Sequence, residues 1–197
     1  MIGKVYSAAV TGIYAVPVEV QADVTPGIPY FELTGNLAGT TKEAKERVRI
    51  AIKNSKFQIN PSKITINMIP ANIRKEGTSY DLAVAVAVLT AVGVIAAKKV
   101  SGALFIGELG LDGGICNVSS ILPMTLCARD NGFTICYVPM GNVGEAALVT
   151  GIRVIGISSL RECVDYINNG CNCRAHVDNN IDNAADNNID FADIRGQ

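Results

Sequence analysis

The stretch Pro70-Ala71-Asn72-Ile73-Arg74-Lys75-Glu76-Gly77-Thr78-Ser79-Tyr80-Asp81-Leu82 runs without a break into Ala83-Val84-Ala85-Val86-Ala87-Val88-Leu89-Thr90-Ala91. A polar, glycine-containing segment thus opens onto the most apolar run of the chain. Leu82 to Ala97 carries no charge and is bounded by Asp81 and by Lys98-Lys99. It is shorter than the roughly 20 residues a membrane-spanning helix needs. The reading is a helix buried in a protein core, from Tyr80 to about Val92. Thr78 or Ser79 is expected to cap it, and Asp81 in its first turn suits the helix dipole.

Outward from this helix, two segment types alternate. Lys4 to Val10 and Ile13 to Val24 read as strands joined at Thr11-Gly12. In the second, Val16, Val18, Val20, Ala22 and Val24 alternate with polar residues or proline, so one face is buried. Pro17 suggests an edge position for that strand. Tyr30 to Thr34 is a third strand and Ile64 to Ile69 a fourth. Thr40-Thr41-Lys42-Glu43 has the spacing of a capping box and opens a helix with Ala44, Val48, Ala51 and Ile52 as its apolar stripe. Ala103 to Gly110 and Gly114 to Val118 read as a hairpin turning tightly at Leu111-Asp112-Gly113. Helices are expected over Ile121 to Asn131 and Ser159 to Asn169, with a short helical segment from Gly141 to Thr150. Strands are expected over Thr134 to Val138 and Arg153 to Ile157. The alternation predicts an α/β domain with some parallel pairing.

The totals agree with one domain and a tail. The chain has 197 residues, 49% of them hydrophobic, with few aromatics and no tryptophan, so the core is expected to be Val, Ile, Leu and Ala. Its formal net charge of −1 gives the chain as a whole no pull on nucleic acid or membrane. No secretory signal is legible at Met1-Ile2-Gly3-Lys4-Val5. With six cysteines, four of them scattered through apolar segments, a reduced cytoplasmic setting is expected and no membrane association. Cys171, Cys173 and His176 offer three soft ligands close together, but the spacing lacks the regular fourth ligand of a zinc site, and no metal is expected. After Gly170 an Asn/Asp tract repeats every four residues through Asp178, Asp182, Asp186 and Asp190. Asp and Asn are poor helix formers and like charges at this spacing repel, so 171–190 reads as an acidic linker.

The ordered motifs resemble a known family. Lys75-Glu76-Gly77 followed by Tyr80-Asp81-Leu82, then Gly107-Glu108-Leu109, match the chelatase-like amino-terminal domain of the ComM/YifB family of magnesium-chelatase-like AAA+ ATPases. The segments Thr41 to Ile52 and Ile64 to Ala71 match in order, and the resemblance covers about residues 1–170. Phe191-Ala192-Asp193-Ile194-Arg195-Gly196-Gln197 resembles the lead-in to an AAA+ module, so 191–197 is expected to begin one that lies beyond this chain. The resemblance implies a Lon-protease-like fold of the ribosomal protein S5 domain 2 type. It also implies a full-length hexameric ATPase that uses ATP and Mg2+ and acts on DNA, in branch migration during natural transformation. The partners so implied are the chain's own AAA+ module, further copies of itself, and DNA.

Lon proteases use a Ser-Lys dyad, in which the lysine must touch the serine to deprotonate it. By the resemblance the serine position falls on Ser79 and the lysine position near Leu122. No lysine occurs between Lys99 and the C-terminus, so a serine peptidase is the alternative, with Ser79 its candidate nucleophile. A stand-alone interaction domain is a further alternative. No Gly-x4-Gly-Lys-Ser/Thr loop is present, and the lone histidine, His176, lies in the tail. The remaining functional candidates are Lys42, Lys45, Arg49 and Lys53, spaced three and four apart on one helix face. They are candidate contacts to DNA phosphates or to an acidic partner, against the ordinary alternative of a solvated face relieved by Glu43 and Glu46.

Overall fold

The computed structural model describes residues 2–170 and the backbone of His176–Val177. The linker and lead-in readings, and the side chains of Cys171, Cys173 and His176, lie outside the described residues.

The first two strands, β1 (Gly3–Thr11) and β2 (Tyr14–Pro26), form a long antiparallel hairpin with Gly3 opposite Ala22 and Thr11 opposite Tyr14. The alternation read in β2 holds: Val18, Val20 and Ala22 are buried in one core. β2 is not an edge strand, however, because β4 (Ser62–Ile69) pairs with it antiparallel from Pro26 back to Glu19. Pro17 is tolerated because it lies past the end of β4, where no ladder hydrogen bond is asked of it on that side. β3 (Tyr30–Thr34) adds in parallel to β4 and forms the edge.

Between β3 and β4 run α1 (Gly39–Lys42) and α2 (Ala44–Asn54). The expected capping box does not form. The helix begins at Gly39 with Ala38 as its N-cap and no side-chain cap, and it is interrupted at Glu43. The Thr41 hydroxyl is drawn instead into the interior, where it donates to the carbonyls of Lys75 (3.0 Å) and Gly77 (2.9 Å). The apolar stripe Ala44, Val48, Ala51 and Ile52 is buried as read.

α3 (Asp81–Ala91) is buried from Asp81 to Thr90 on every side. Its alternating Ala and Val explain this, since alanine lets the neighbouring backbone approach. A Cβ added at Gly3 of β1 would lie 2.1 Å from the Ala87 carbonyl oxygen. Each fully buried Val or Leu contributes about 1.5–3 kcal/mol of burial, so this helix anchors the fold. The expected hydroxyl cap of α3 is absent: its N-cap is Tyr80, with no side-chain hydrogen bond.

The crossover through α3 carries the chain past β2 and β1 to β5 (Ala103–Phe105), parallel to β1. The expected long strand from Ala103 to Gly110 breaks here. The Ile106 N–H donates to Tyr137, leaving the main sheet at Gly107. The chain then forms β6 (Glu108–Leu109), which pairs antiparallel with β7 (Ile115–Cys116) as a separate ribbon. The turn is also looser than expected. Gly110 N–H donates to Gly114, enclosing Leu111-Asp112-Gly113 with Gly113 at φ +89°, a three-residue loop rather than a two-residue primed turn.

The second half adds α4 (Ile121–Asp130), β8 (Ile135–Pro139), α5 (Val143–Ala146), β9 (Arg153–Ile157) and α6 (Leu160–Asn169), with β5, β8 and β9 parallel. The backbone of β10 (His176–Val177) pairs antiparallel with β9. The full sheet order is β10-β9-β8-β5-β1-β2-β4-β3. Helices α2, α3 and α6 cover one face and α4 and α5 the other, each over its own apolar cluster. The expected α/β class is the observed one, with a mixed sheet. Among the described residues no helix is long and apolar enough to cross a membrane.

Candidate functional site

The motif that resembled the ComM/YifB family converges with the hairpin at the start of α3. Leu82 N–H donates to the Gly107 carbonyl (3.0 Å), and Gly107 N–H donates to the Ser79 carbonyl (2.9 Å). This clamps the two segments backbone to backbone. The Thr78 hydroxyl donates to the Glu108 carboxylate in a short contact.

Asp81 lies at the centre of the junction and is completely buried. Arg47 of α2 reaches it with two hydrogen bonds, Nε to Oδ2 at 2.7 Å and an Nη to Oδ1 at 3.1 Å. The Leu109 N–H donates to Asp81 Oδ2 at 3.3 Å, and Arg47 also donates to the Thr40 carbonyl at 3.3 Å. Burial pushes the Asp81 carboxyl up to about 6, against the contacts to Arg47 and Leu109 that lower it. The Asp81 hydrogen bonds raise the Arg47 guanidinium above its ordinary value. A carboxylate at this depth is sustainable because it is paired and hydrogen-bonded.

Lys75 is the second buried charge. Its Nζ donates to the carbonyls of Gly35 (2.9 Å), Met68 (3.3 Å) and Pro70. Its backbone N–H donates to Asn36, and its carbonyl accepts from Ala38. Burial lowers its pKa. All three ammonium protons therefore have backbone partners, and Lys75 ties the end of β3 to the end of β4.

Ser79 is 7% exposed and lines a groove of about 470 Å³ with Glu76, Thr78, Glu108, Ser119, Ser120 and Met124. Its hydroxyl has no hydrogen-bond partner among the described residues, and no lysine, arginine or histidine lines the groove. Leu122, at the place where the resemblance puts a lysine, is half-buried in the first turn of α4, and its N–H donates to Glu145 at 3.3 Å. The serine is thus brought into a groove that holds the carboxylates of Glu76 and Glu108 but no lysine to complete the dyad. The buried thiols offer no alternative nucleophile, since burial pushes Cys136 up to about 12. No cluster of three or more His, Cys, Asp or Glu able to hold a metal occurs among the described residues.

Lys42, Lys45, Arg49 and Lys53 are all exposed along α1 and α2. Arg49 is engaged by Glu46 at 2.9 Å, while Lys42, Lys45 and Lys53 make no ion pair among the described residues. Lys42, Glu43, Lys45 and Glu46 border an open depression with Arg47 at its inner wall. The helix therefore presents free cations outward and one cation inward.

The Arg47–Asp81 pair was missed in the sequence reading, although a signal existed. Asp81 is the lone charge on a helix otherwise devoid of charged residues, and such a charge requires a partner. Arg47 is also the one cation of that helix outside the three-and-four spacing of Lys42, Lys45, Arg49 and Lys53.

Residues 20–142 match the family described as "Subunit ChlI of Mg-chelatase". An uncharacterized protein of Mycobacterium tuberculosis is 33% identical over the whole of this chain, which spans 39% of that protein's length. Competence protein ComM of Haemophilus influenzae is 32% identical over 83% of this chain and 32% of its own length. YifB of Escherichia coli, also uncharacterized, is 36% identical over 75% of this chain and 29% of its own length. The match to the family extends through the clasp at the head of α3, the hairpin, α4 and β8, and on it the chain belongs to the family of the ChlI subunit of magnesium chelatase.

Proposed function

We propose that this chain is a non-catalytic domain of a magnesium-chelatase-like AAA+ ATPase, supporting ring assembly and engaging DNA. Hydrolysis of ATP with Mg2+ belongs, in this reading, to a module outside the chain. The DNA activity is ATP-driven remodelling of the branch-migration kind, as the resemblance to ComM-like proteins implies, in a cytoplasmic hexamer.

The observation that carries the reading is the division of polar groups. Lys75, Asp81, Arg47, Thr41 and Thr78 are committed to internal contacts, whereas Lys42, Lys45 and Lys53 are left free on the outer face of the first helix. A motif whose charged atoms are consumed by the fold supports a scaffold role. Free cations at helical spacing supply contacts to phosphates.

The test is binding of a fluorescent oligonucleotide by the chain and by a Lys42→Glu/Lys45→Glu/Lys53→Glu variant. With three phosphate contacts, affinity falls about 40-fold between 50 and 200 mM salt. The variant is expected to lose binding. Equal affinity in both proteins would remove the DNA role from this face.

A peptidase reading has one observation in its favour, the Ser79 hydroxyl, which opens on a groove without a hydrogen bond among the described residues. Against it, Lys75 is held by three carbonyls and no lysine or histidine lines the groove. A shared fold does not transfer the function.

A further inference from the structure

At one place on the surface two local rules of helix construction are broken, and both breaks put a cation in the same spot. The first is Lys56. Helix α2 ends there in a left-handed turn, with Lys56 at φ +65° and the Phe57 N–H returning to the Ile52 carbonyl at 3.2 Å. Glycine or asparagine ordinarily fills that position, because a Cβ is strained in it. Lys56 is exposed, and among the described residues its side chain makes no hydrogen bond or ion pair that would repay the strain.

The second is Arg161. It occupies the first turn of α6, where the positive end of the helix dipole disfavours a cation. Its guanidinium lies over the Phe57 ring, 4.5 Å from the centroid. Arg161 therefore sits against the residue that directly follows Lys56, with Lys53 one turn back on α2. None of the three has a carboxylate within ion-pair distance among the described residues. The nearby acids are otherwise engaged or unpaired. Glu162 accepts from the Ser158 N–H at 2.7 Å, Asp112 accepts from the Gly114 N–H at 2.9 Å, and Asp165 is exposed on α6 without an ion pair.

We infer that Lys53, Lys56 and Arg161 form a phosphate-contact site for the nucleic-acid backbone, extending the face of α2 across to α6. The inference rests on the DNA reading above and adds residues outside the α2 stripe. The guanidinium over Phe57 makes no hydrogen bond among the described residues, so its N–H donors are available, and a guanidinium can grip a phosphate through two parallel N–H bonds. The departure at Lys56 has no structural return, and such departures are where function is expected.

The experiment is oligonucleotide binding across a salt series by the full 197-residue chain, with Arg161→Gln, Lys56→Gly and Lys42→Glu/Lys45→Glu. Lys56→Gly relieves the left-handed strain, so its melting temperature is expected to hold or rise while its affinity falls. Arg161→Gln and Lys56→Gly are each expected to weaken binding severalfold and to lower the salt slope by about 0.9 per lost contact on duplex DNA. If Lys42→Glu/Lys45→Glu weakens binding while Arg161→Gln and Lys56→Gly bind as the unsubstituted chain does, this site is refuted and the DNA reading stands. If none of the variants changes binding, both fall.

Discussion

Replacing Arg47 by methionine isolates the clasp at the head of α3. The substitution keeps most of the aliphatic stem and removes the guanidinium, leaving a completely buried Asp81 with one backbone donor, the Leu109 N–H at 3.3 Å. Breaking a buried pair from one side costs about 3–5 kcal/mol, because the surviving charge is left uncompensated. That is a large part of the 5–15 kcal/mol by which domains are stable. The cost depends on pH with a definite sign. The folded-state pKa of Asp81 is raised, from 3.8 to about 6, so the folded form holds the proton more tightly than the unfolded form. Its contribution is fully present below pH 3.8 and is lost as pH rises through about 6, a span worth about 3 kcal/mol. Without Arg47 only the Leu109 N–H is left to lower the pKa, and protonation relieves the buried charge. The variant's deficit is therefore expected to be largest at pH 7.5 and to narrow at pH 4.5. Urea unfolding followed by circular dichroism at both pH values measures it, tryptophan being absent. Arg47→Met/Asp81→Asn, in which no charge is stranded, should recover part of the loss at pH 7.5. A deficit below about 1 kcal/mol at pH 7.5, or one equal at both pH values, would refute the reasoning.

Other expectations follow from single contacts. Lys75→Met strands three backbone carbonyls that now share one ammonium, and is expected to destabilise by about 3 kcal/mol or more in the same unfolding assay. Gly113→Ala adds a Cβ 2.2 Å from the Ser55 hydroxyl oxygen at a residue with φ +89°, so a loss of at least about 1–2 kcal/mol is expected, with a lower melting temperature. Thr41→Val removes a buried hydroxyl shared by two carbonyls and should cost about 1–3 kcal/mol, whereas Thr40→Val, at an exposed position, should cost far less.

The sheet was legible wherever one face is wet, because alternation in Tyr14–Pro26 and the short apolar strands near the C-terminus reports burial directly. The buried helix was legible from its composition. Residues whose roles are set by distant partners were not. Thr41 reads as part of a helix cap, yet its hydroxyl serves carbonyls 34 and 36 residues away. Thr78 reads as a cap for α3 and instead holds Glu108, 30 residues on. Pro17 reads as an edge signal, but it pairs with Ala8 of β1 and lies beyond the end of β4 at Ile69, so only its β4 side is unpaired. In each case a local propensity was outweighed by a contact between segments remote in sequence. The candidate site divided along the same line. The exposed lysines were visible from spacing and Asp81 from its motif, while the pairing of Asp81 with Arg47 and the setting of Lys56 and Arg161 came from tertiary geometry.

We propose that the segment from Lys75 to Leu82 builds the fold and performs no chemistry. The most direct measurement is release of labelled peptide from fluorescent casein by the chain and by Ser79→Ala, with Lys75→Met as a second comparison. The account predicts no release above buffer in any of the three. Turnover by the unsubstituted chain that Ser79→Ala abolishes would contradict it and make the groove an active site.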